Sequence, residues 1–326
     1  MAKGPVLALV GATGLVGSAL LSFFLDAVSD SRLSSLRILT TSHASPKLAS
    51  ARSHPSDRVE IREIHYSDPS SLDAALAGVD VLVSAMGAQS SPEGTYESNK
   101  HLLLDAAVRA GVRIYVPSEW GTDHNGANQD AVQSPMFANK QAHHAEAHQR
   151  GLQVLAVYNA LILEISFSDW LGIPTGASST EWTVPRPEHP VAFTSLRDLG
   201  PFTLSAVLQT WHAPSSSAAP IPSRLRIYSD LLTLDKAADL WEEIAGGTVK
   251  RNYVDSDGLK KRYEEIKPTL PPGMLGPAIP LMISLGGFDY SQDCANSLLN
   301  TGEYAFEPRT VCDFLAERAR EVKQAA

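Results

Sequence analysis

Gly11, Gly14 and Gly17 follow directly on an apolar pentad, Val6 to Val10, in the run VLALVGATGLVG. Glycines at these steps let a chain turn tightly as it leaves a strand. They also let a pyrophosphate approach the N-terminus of the next helix, where free N–H groups and the helix dipole favour anions. Thr13, Leu15 and Val16 complete that loop. Strand exits also use glycine for plain turns, so the run is weak evidence alone. Its place between a strand and an apolar-periodic helix favours a dinucleotide site.

Lys140 is the leading candidate for proton chemistry. It follows the fifth expected strand, on a helix bounded by Ser134, Pro135 and Gly151. A lysine whose pKa is lowered by burial is a base; kept charged, it is an acid or an anchor for an oxyanion. The plainer alternative is a solvated helix lysine. Tyr96 and Lys100 spell Tyr-x-x-x-Lys, the proton-transfer pair of many short-chain reductases. That pair should follow strand five and here precedes it, so a surface pair or a remote cofactor contact is expected. In HHAEAH, His144 and His148 lie one turn apart and could share a metal, with His143 beside them. Glu146 is one position late for a zinc-protease order, and no distant Cys or His group completes a set, so no metal is expected. His144 follows Lys140 by four residues on the same helix face, which suits a cofactor contact.

The elements that must position these residues alternate. Leu15 to Val28 reads as a helix, Arg37 to Thr41 as strand two, Val59 to Ile64 as strand three and Val79 to Ala85 as strand four. A helix over 99–110 leads to strand five, Val112 to Val116, and Leu152 to Asn159 reads as strand six. Such alternation predicts an α/β fold with a doubly wound parallel sheet, a Rossmann arrangement, in residues 1–160. Residues 161–326 are expected to form a smaller α/β substrate domain, and a segment near 190–212 is a candidate to pack back on the first. Leu161 to Leu171 reads as an apolar helix, Ser195 to Asp198 as a capping box, and His212 to Ser223 as a surface loop. Ligands of such sheets sit at the carboxyl ends of the strands. The expected cofactor contacts are therefore Met86 and Gln89 after strand four, Pro117, Ser118 and Glu119 after strand five, and Tyr158 and Asn159 ending strand six. Trp120, Phe167, Met274 and Phe288 are the expected substrate contacts. The exit of strand two carries no acid between Arg37 and Ser56, but offers Thr41, Ser42 and Lys47. Hydroxyls and cations there suit the 2′-phosphate of NADP(H) over the ribose of NAD.

Composition narrows the class. The 326 residues are 44% hydrophobic and 19% charged, as in a globular protein with a sizeable core. A net charge of −9 disfavours nucleic acid as a partner. Cys294 and Cys312 match no metal or redox spacing, and no apolar run approaches a membrane span. A cytosolic protein working on a small molecule, monomeric or homodimeric, is expected.

GATGLVG, AAVRAGVRIYVPSEWG, the lysine at 140 and VYNALILE together resemble the NmrA-like, isoflavone-reductase-like branch of atypical short-chain dehydrogenases. FTSLRDLGPF, RIYSDLLTLDKAADLWEEIAG and YAFEPRTVCDFL extend the resemblance over nearly the whole chain. It implies an NADP-binding Rossmann domain, a C-terminal domain closing over the substrate, and NADPH-dependent reduction of aromatic, phenylpropanoid-like compounds. By position it implies pyrophosphate on Gly11, Gly14 and Gly17, the 2′-phosphate on Lys47, and Lys140 as catalytic lysine. Thr41 stands where that family usually has Arg after strand two, and His144 where some members have Arg four residues past the lysine. Two other classes share the scaffold: a nucleotide-sensing regulator without chemistry, and a non-redox isomerase or cyclase.

Overall fold

The computed structural model describes residues 3–325, apart from 88–93, 126–127, 129–131, 187, 214–220 and 271–274. Its first half builds β1 (Val6–Val10), α1 (Leu15–Ser29), β2 (Ser35–Thr40), β3 (Val59–Glu63), α2 (Pro69–Leu76) and β4 (Val81–Ser84). Then come α3 (Tyr96–Arg109), β5 (Ile114–Val116), α4 (Pro135–Gln149) and β6 (Gln153–Val154). The six strands form one sheet in the order β3-β2-β1-β4-β5-β6, and every pairing is parallel. This is the expected doubly wound sheet. Its order reverses between β1 and β4, so a crevice opens at their carboxyl ends.

Local chemistry sets the helix ends. Asp68 caps α2 by accepting from Ser70 N–H, and Thr95 opens α3 with a reciprocal capping box to Ser98. Pro135 starts α4, and Gly151, at φ +89°, follows its last turn. One apolar layer packs Leu20, Phe24 and Val28 of α1 on one face of the sheet. Leu72, Leu76, Leu103 and Leu104 of α2 and α3 cover the other.

The second half adds β7 (Ala156–Tyr158), β8 (Leu161–Ile162), β9 (Thr180–Pro185), β10 (Pro190–Thr194), α5 (Leu196–His212), β11 (Arg224–Arg226) and β12 (Asp230–Thr233). After these come α6 (Leu234–Ala245), β13 (Val249–Val254), α7 (Ser256–Ile266), α8 (Ile279–Ser284) and α9 (Val311–Ala325). Small sheets join β12-β10-β8, β11-β7 and β13-β9 around a core holding Trp182, Trp241, Phe193 and Tyr290. Helix α5 leaves this half and buries Leu199, Phe202 and Leu204 in the apolar layer of α1. Gly200 permits that approach, since a Cβ there would meet the Phe23 side chain at 2.4 Å.

Three expectations change. Strand six is two pieces: Val154 pairs with Tyr115 in the main sheet, while Ala156–Tyr158 pairs with β11. The expected helix over 161–171 is a two-residue strand, β8, followed by one helical turn, Leu163–Ser166, because Phe193 and Thr194 of β10 take Leu161 and Ile162 as sheet partners. Ser195 precedes α5 but caps nothing; its hydroxyl donates to Glu164 at 2.6 Å. No helix among the described residues is long and apolar enough to cross a membrane.

Candidate active site

The glycine loop works by close approach. Gly11 sits at φ +81°, and a Cβ there would lie 2.4 Å from Ala85 O. A Cβ on Gly17 would lie 2.0 Å from Gly11 O, so only glycine lets α1 start against the strand exit. Gly14 precedes α1 without a side-chain cap, and the first turn holds no acid. The N–H groups of that turn stay available to an anion. Leu15 is exposed at the helix tip, while Val16 packs on the apolar layer.

A cavity of about 200 Å³ opens over this loop, walled by Gly11 to Thr13, Thr41, Met86, Tyr96 and Asn99. The Lys47 ammonium donates to Thr13 O at 2.9 Å, which ties the cation to the loop. Thr41 borders the cavity and Ser42 is exposed just beyond it. Arg52 is committed elsewhere, to His43 O and Ser45 O. Gln89 lies outside the described residues.

At the exit of β5, Ser118 Oγ donates to Met86 O at 2.7 Å and Trp120 Nε1 donates to Ser84 O at 2.8 Å. These bonds lock the exits of β4 and β5 together, beside the buried Pro117. Lys140 of α4 donates to Ser118 O at 2.8 Å and stands 3.2 Å from Glu119 Oε2. Glu119 is 4% exposed and also bonds His124 Nε2 and His144 Nε2, each at 2.9 Å. Both imidazoles then carry their proton on Nε2. Burial alone would push the Glu119 carboxyl up; the Lys140 charge and the two histidine bonds overcome it and hold Glu119 well below the usual range. Burial likewise pulls Lys140 down, yet the Glu119 carboxylate more than restores it, above an ordinary lysine. Each partner thus favours the charged form of the other, an ammonium on Lys140 against a carboxylate on Glu119.

Sequence reasoning put Glu119, Tyr158 and Asn159 on the cofactor. Here all three are interior. Glu119 lies under Lys140, Tyr158 bonds His124 Nε2 at 3.2 Å, and neither Tyr158 nor Asn159 borders the described cavities. The switch from β6 to β7 turns this segment into the core, and the Asn159 amide has no partner among the described residues. His144 turns onto Glu119, whereas His148 is exposed and His143 is buried with Nε2 3.1 Å from the Tyr115 hydroxyl. The ligating atoms of Glu119, His124 and His144 lie within 4.8 Å of one another. Lys140 already supplies that carboxylate with a positive charge, which a dication would have to displace.

A second cavity, about 180 Å³ and mostly apolar, adjoins the β5 exit between Trp120, Trp170, Ile165, Ile279, Met282 and Phe288. Trp120 and Phe288 were expected there. Phe167 is not in its wall: the turn after β8 points Phe167 inward, stacked on Phe193 at a centroid distance of 5.3 Å. Met274 lies outside the described residues, and its neighbour Leu275 borders the cavity. No sequence pattern pointed to His124. The sequence did signal Tyr96 and Lys100, but as a remote pair. Tyr96 instead walls the glycine-loop cavity, and Lys100 is buried, paired to Glu97 at 2.6 Å.

Residues 4–272 match the NmrA-like family profile. This chain belongs to the NmrA-like family. An NmrA-like family domain-containing oxidoreductase of Gibberella moniliformis is 26% identical over 207 residues, which span 62% of this chain and 63% of that relative's length. The fold is that of the leucoanthocyanidin reductase of Vitis vinifera, solved as a binary complex with NADPH. The TM-score is 0.73 at 17% identity, over 97% of this chain and 99% of that one. Isoflavone reductase has the same fold, at TM-score 0.73 and 18% identity, over 96% and 99% of the two chains. This NmrA-like chain thus shares its fold with reductases throughout its length.

Proposed function

We propose that this NmrA-like protein is an NADPH-dependent reductase acting on a bulky, mostly apolar aromatic molecule, at a conjugated C=C, quinone-methide or C=O carbon. One observation carries the reading: the β5 exit touches both cavities, with Trp120 in the wall of the apolar one and Ser118, two residues earlier, bonded to Met86 in the wall of the glycine-loop one. A cofactor reaching across the first would end beside a substrate held in the second.

The residues fit a dinucleotide. The uncapped start of α1 and the space a Cβ on Gly11 or Gly17 would fill suit a pyrophosphate, and Lys47 with Thr41 suits a 2′-phosphate. Bound there, the reduced nicotinamide supplies hydride. The chain supplies orientation, through the β4 and β5 exits, and charge, through Lys140. Hydride arrival pushes electrons onto the substrate oxygen, and the Lys140 ammonium stabilises that charge at little reorganisation cost because Ser118 O and Glu119 already fix it. The apolar walls exclude water from the transfer. The names of the relatives, both reductases and an oxidoreductase, support the same class.

The test is titration with NADPH and NADH on wild type and Lys140→Ala, together with a turnover screen of aromatic enones, quinone methides and ketones. Binding by both proteins, with NADPH consumed only by wild type, is the expected result. Binding without consumption on the whole panel would favour a nucleotide-sensing regulator, and product formed without NADPH loss would favour an isomerase or cyclase.

A further inference from the structure

We infer that His101, His143 and Glu146 form a zinc site that clamps α3 to α4, apart from the candidate active site and independent of the reductase reading. None of the three borders the glycine-loop cavity or the apolar one. His143 and Glu146 stand three residues apart on α4, so they share a face, and that face meets His101 of α3. One ligating atom from each residue lies within 4.8 Å of the others. His143 is the buried floor, at 3% exposure, while the side chains of His101 and Glu146 form a rim, 50% and 38% exposed.

The spacing suits a tetrahedral ion. Zinc bonds of about 2.0–2.1 Å set neighbouring ligand atoms about 3.4 Å apart and two ligating imidazole centroids about 5 Å apart. His101 Nδ1 and Glu146 Oε2 are 3.2 Å apart, and the His101 and His143 rings, nearly perpendicular, have centroids 5.3 Å apart. His143 is also prepared as a ligand. Its Nε2 lies 3.1 Å from the Tyr115 hydroxyl, and its Nδ1 is buried with no hydrogen-bond partner among the described residues. A proton on Nε2, donated to the Tyr115 oxygen, leaves the Nδ1 lone pair for a metal. Ligating histidines commonly use their second nitrogen in this way.

Charge points the same way. Glu146 Oε1 faces Arg150, but Asp105 also holds Arg150, at 2.5 Å, and Lys100 is paired with Glu97. Three carboxylates thus stand against two cations. A dication at Oε2 displaces no ammonium, unlike one at Glu119, which Lys140 already serves. Two imidazoles and one carboxylate, with room for water at the exposed rim, suit zinc over the oxygen-seeking Mg²⁺ or Ca²⁺. The plain alternative is a metal-free ion pair between His101 and Glu146.

The test is calorimetric titration of tag-free, chelator-stripped protein with Zn²⁺, on wild type, His101→Ala, Glu146→Gln and His148→Ala. Each substituted side chain is at least partly exposed, and Ala and Gln suit a helix, so the variants should fold. Wild type should bind one Zn²⁺ with a Kd of about 10 μM or tighter; weaker binding overturns the inference. His101→Ala and Glu146→Gln, one from each helix, should each weaken it at least about tenfold, since loss of an outer-shell partner alone costs about 10–100-fold. A smaller loss in either variant places the ion elsewhere and overturns the site. His148→Ala should bind as wild type does; loss of binding there, with His101→Ala unaffected, would put the ion on the His144–His148 turn instead. Co²⁺ should give wild type the intense visible bands of a four-coordinate site, absent from His101→Ala. Bands shared by both proteins overturn the inference.

Discussion

Replacing Glu119 with Gln keeps the shape of the side chain and removes one buried charge. In the native site the two Glu119 oxygens serve Lys140 at 3.2 Å and the imidazoles of His124 and His144 at 2.9 Å. The amide has one acceptor oxygen and a donor –NH₂. An imidazole can meet the –NH₂ by moving its proton to the other nitrogen, but an ammonium cannot accept at all. The amide oxygen must therefore face Lys140, and the –NH₂ His144. The bonds survive in number, and what is lost is the countercharge of a buried cation. Breaking one side of a buried pair costs about 3–5 kcal/mol. The pH dependence follows from the signs. Lys140 is raised, so its share of stability is present below 10.5 and lost as pH rises through its folded value. Glu119 is depressed, so its share is present above 4.5 and lost as pH falls through its folded value. The stability gap between wild type and Glu119→Gln should thus be widest between those limits and close at both ends. Urea melts across pH measure the gap. Competitive acetylation of Lys140, read by peptide mass spectrometry, measures whether its pKa has dropped. A gap under about 1 kcal/mol, the worth of a surface pair, with unchanged acetylation would refute the reasoning.

Four further outcomes are expected. Gly17→Ala forces a Cβ to within 2.0 Å of Gly11 O, so it should abolish NADPH binding in a fluorescence titration and lower the melting temperature. Lys47→Met should weaken NADPH by about 1.5–3 kcal/mol, the worth of a charged hydrogen bond, and leave NADH unchanged, as seen by paired titrations. Burial and then the Lys100 charge push His143 down to about 3, so the unfolded chain binds a proton there that the folded chain refuses. Stability should fall by several kcal/mol as pH drops from 6.5 toward 3, and His143→Asn should flatten that limb in urea melts. Trp120→Ala removes a wall of the apolar cavity and the bond to Ser84 O, and should raise KM at least tenfold, about 1.4 kcal/mol, for any substrate found.

Local pattern made much of this legible. The apolar run Val6–Val10 followed by GATGLVG could hardly be anything but a buried strand turning into a helix, and Pro135 with Gly151 bounded α4 to within a residue. Period and turn chemistry act over a few residues, so they survive in a bare sequence. The same holds for Lys140, Ser118 and Trp120, whose positions follow once β5 and α4 are placed. What the chain alone could not give depended on contacts between distant segments. Leu152–Asn159 looked like one strand, but β11, some seventy residues on, captures its second half and turns Tyr158 and Asn159 inward. Glu119 looked like a cofactor contact, but Lys140 and His144 of α4 and the nearby His124 enclose it, and its carboxylate holds the charge on Lys140. Tyr96 and Lys100 looked remote because the sequence rule counts positions along the chain. Parallel order places β4 and β5 side by side, so the helix after one strand meets the exit of the next, and Tyr96 arrives in the cavity wall with Met86, to which Ser118 is bonded. Sequence alone thus determined the strand–helix rhythm, the glycine turn before α1 and the place of Lys140 on α4, because those rest on local backbone geometry. Tertiary structure decided which side chains meet at the site and in what charge state, because burial and pairing are properties of the packed chain.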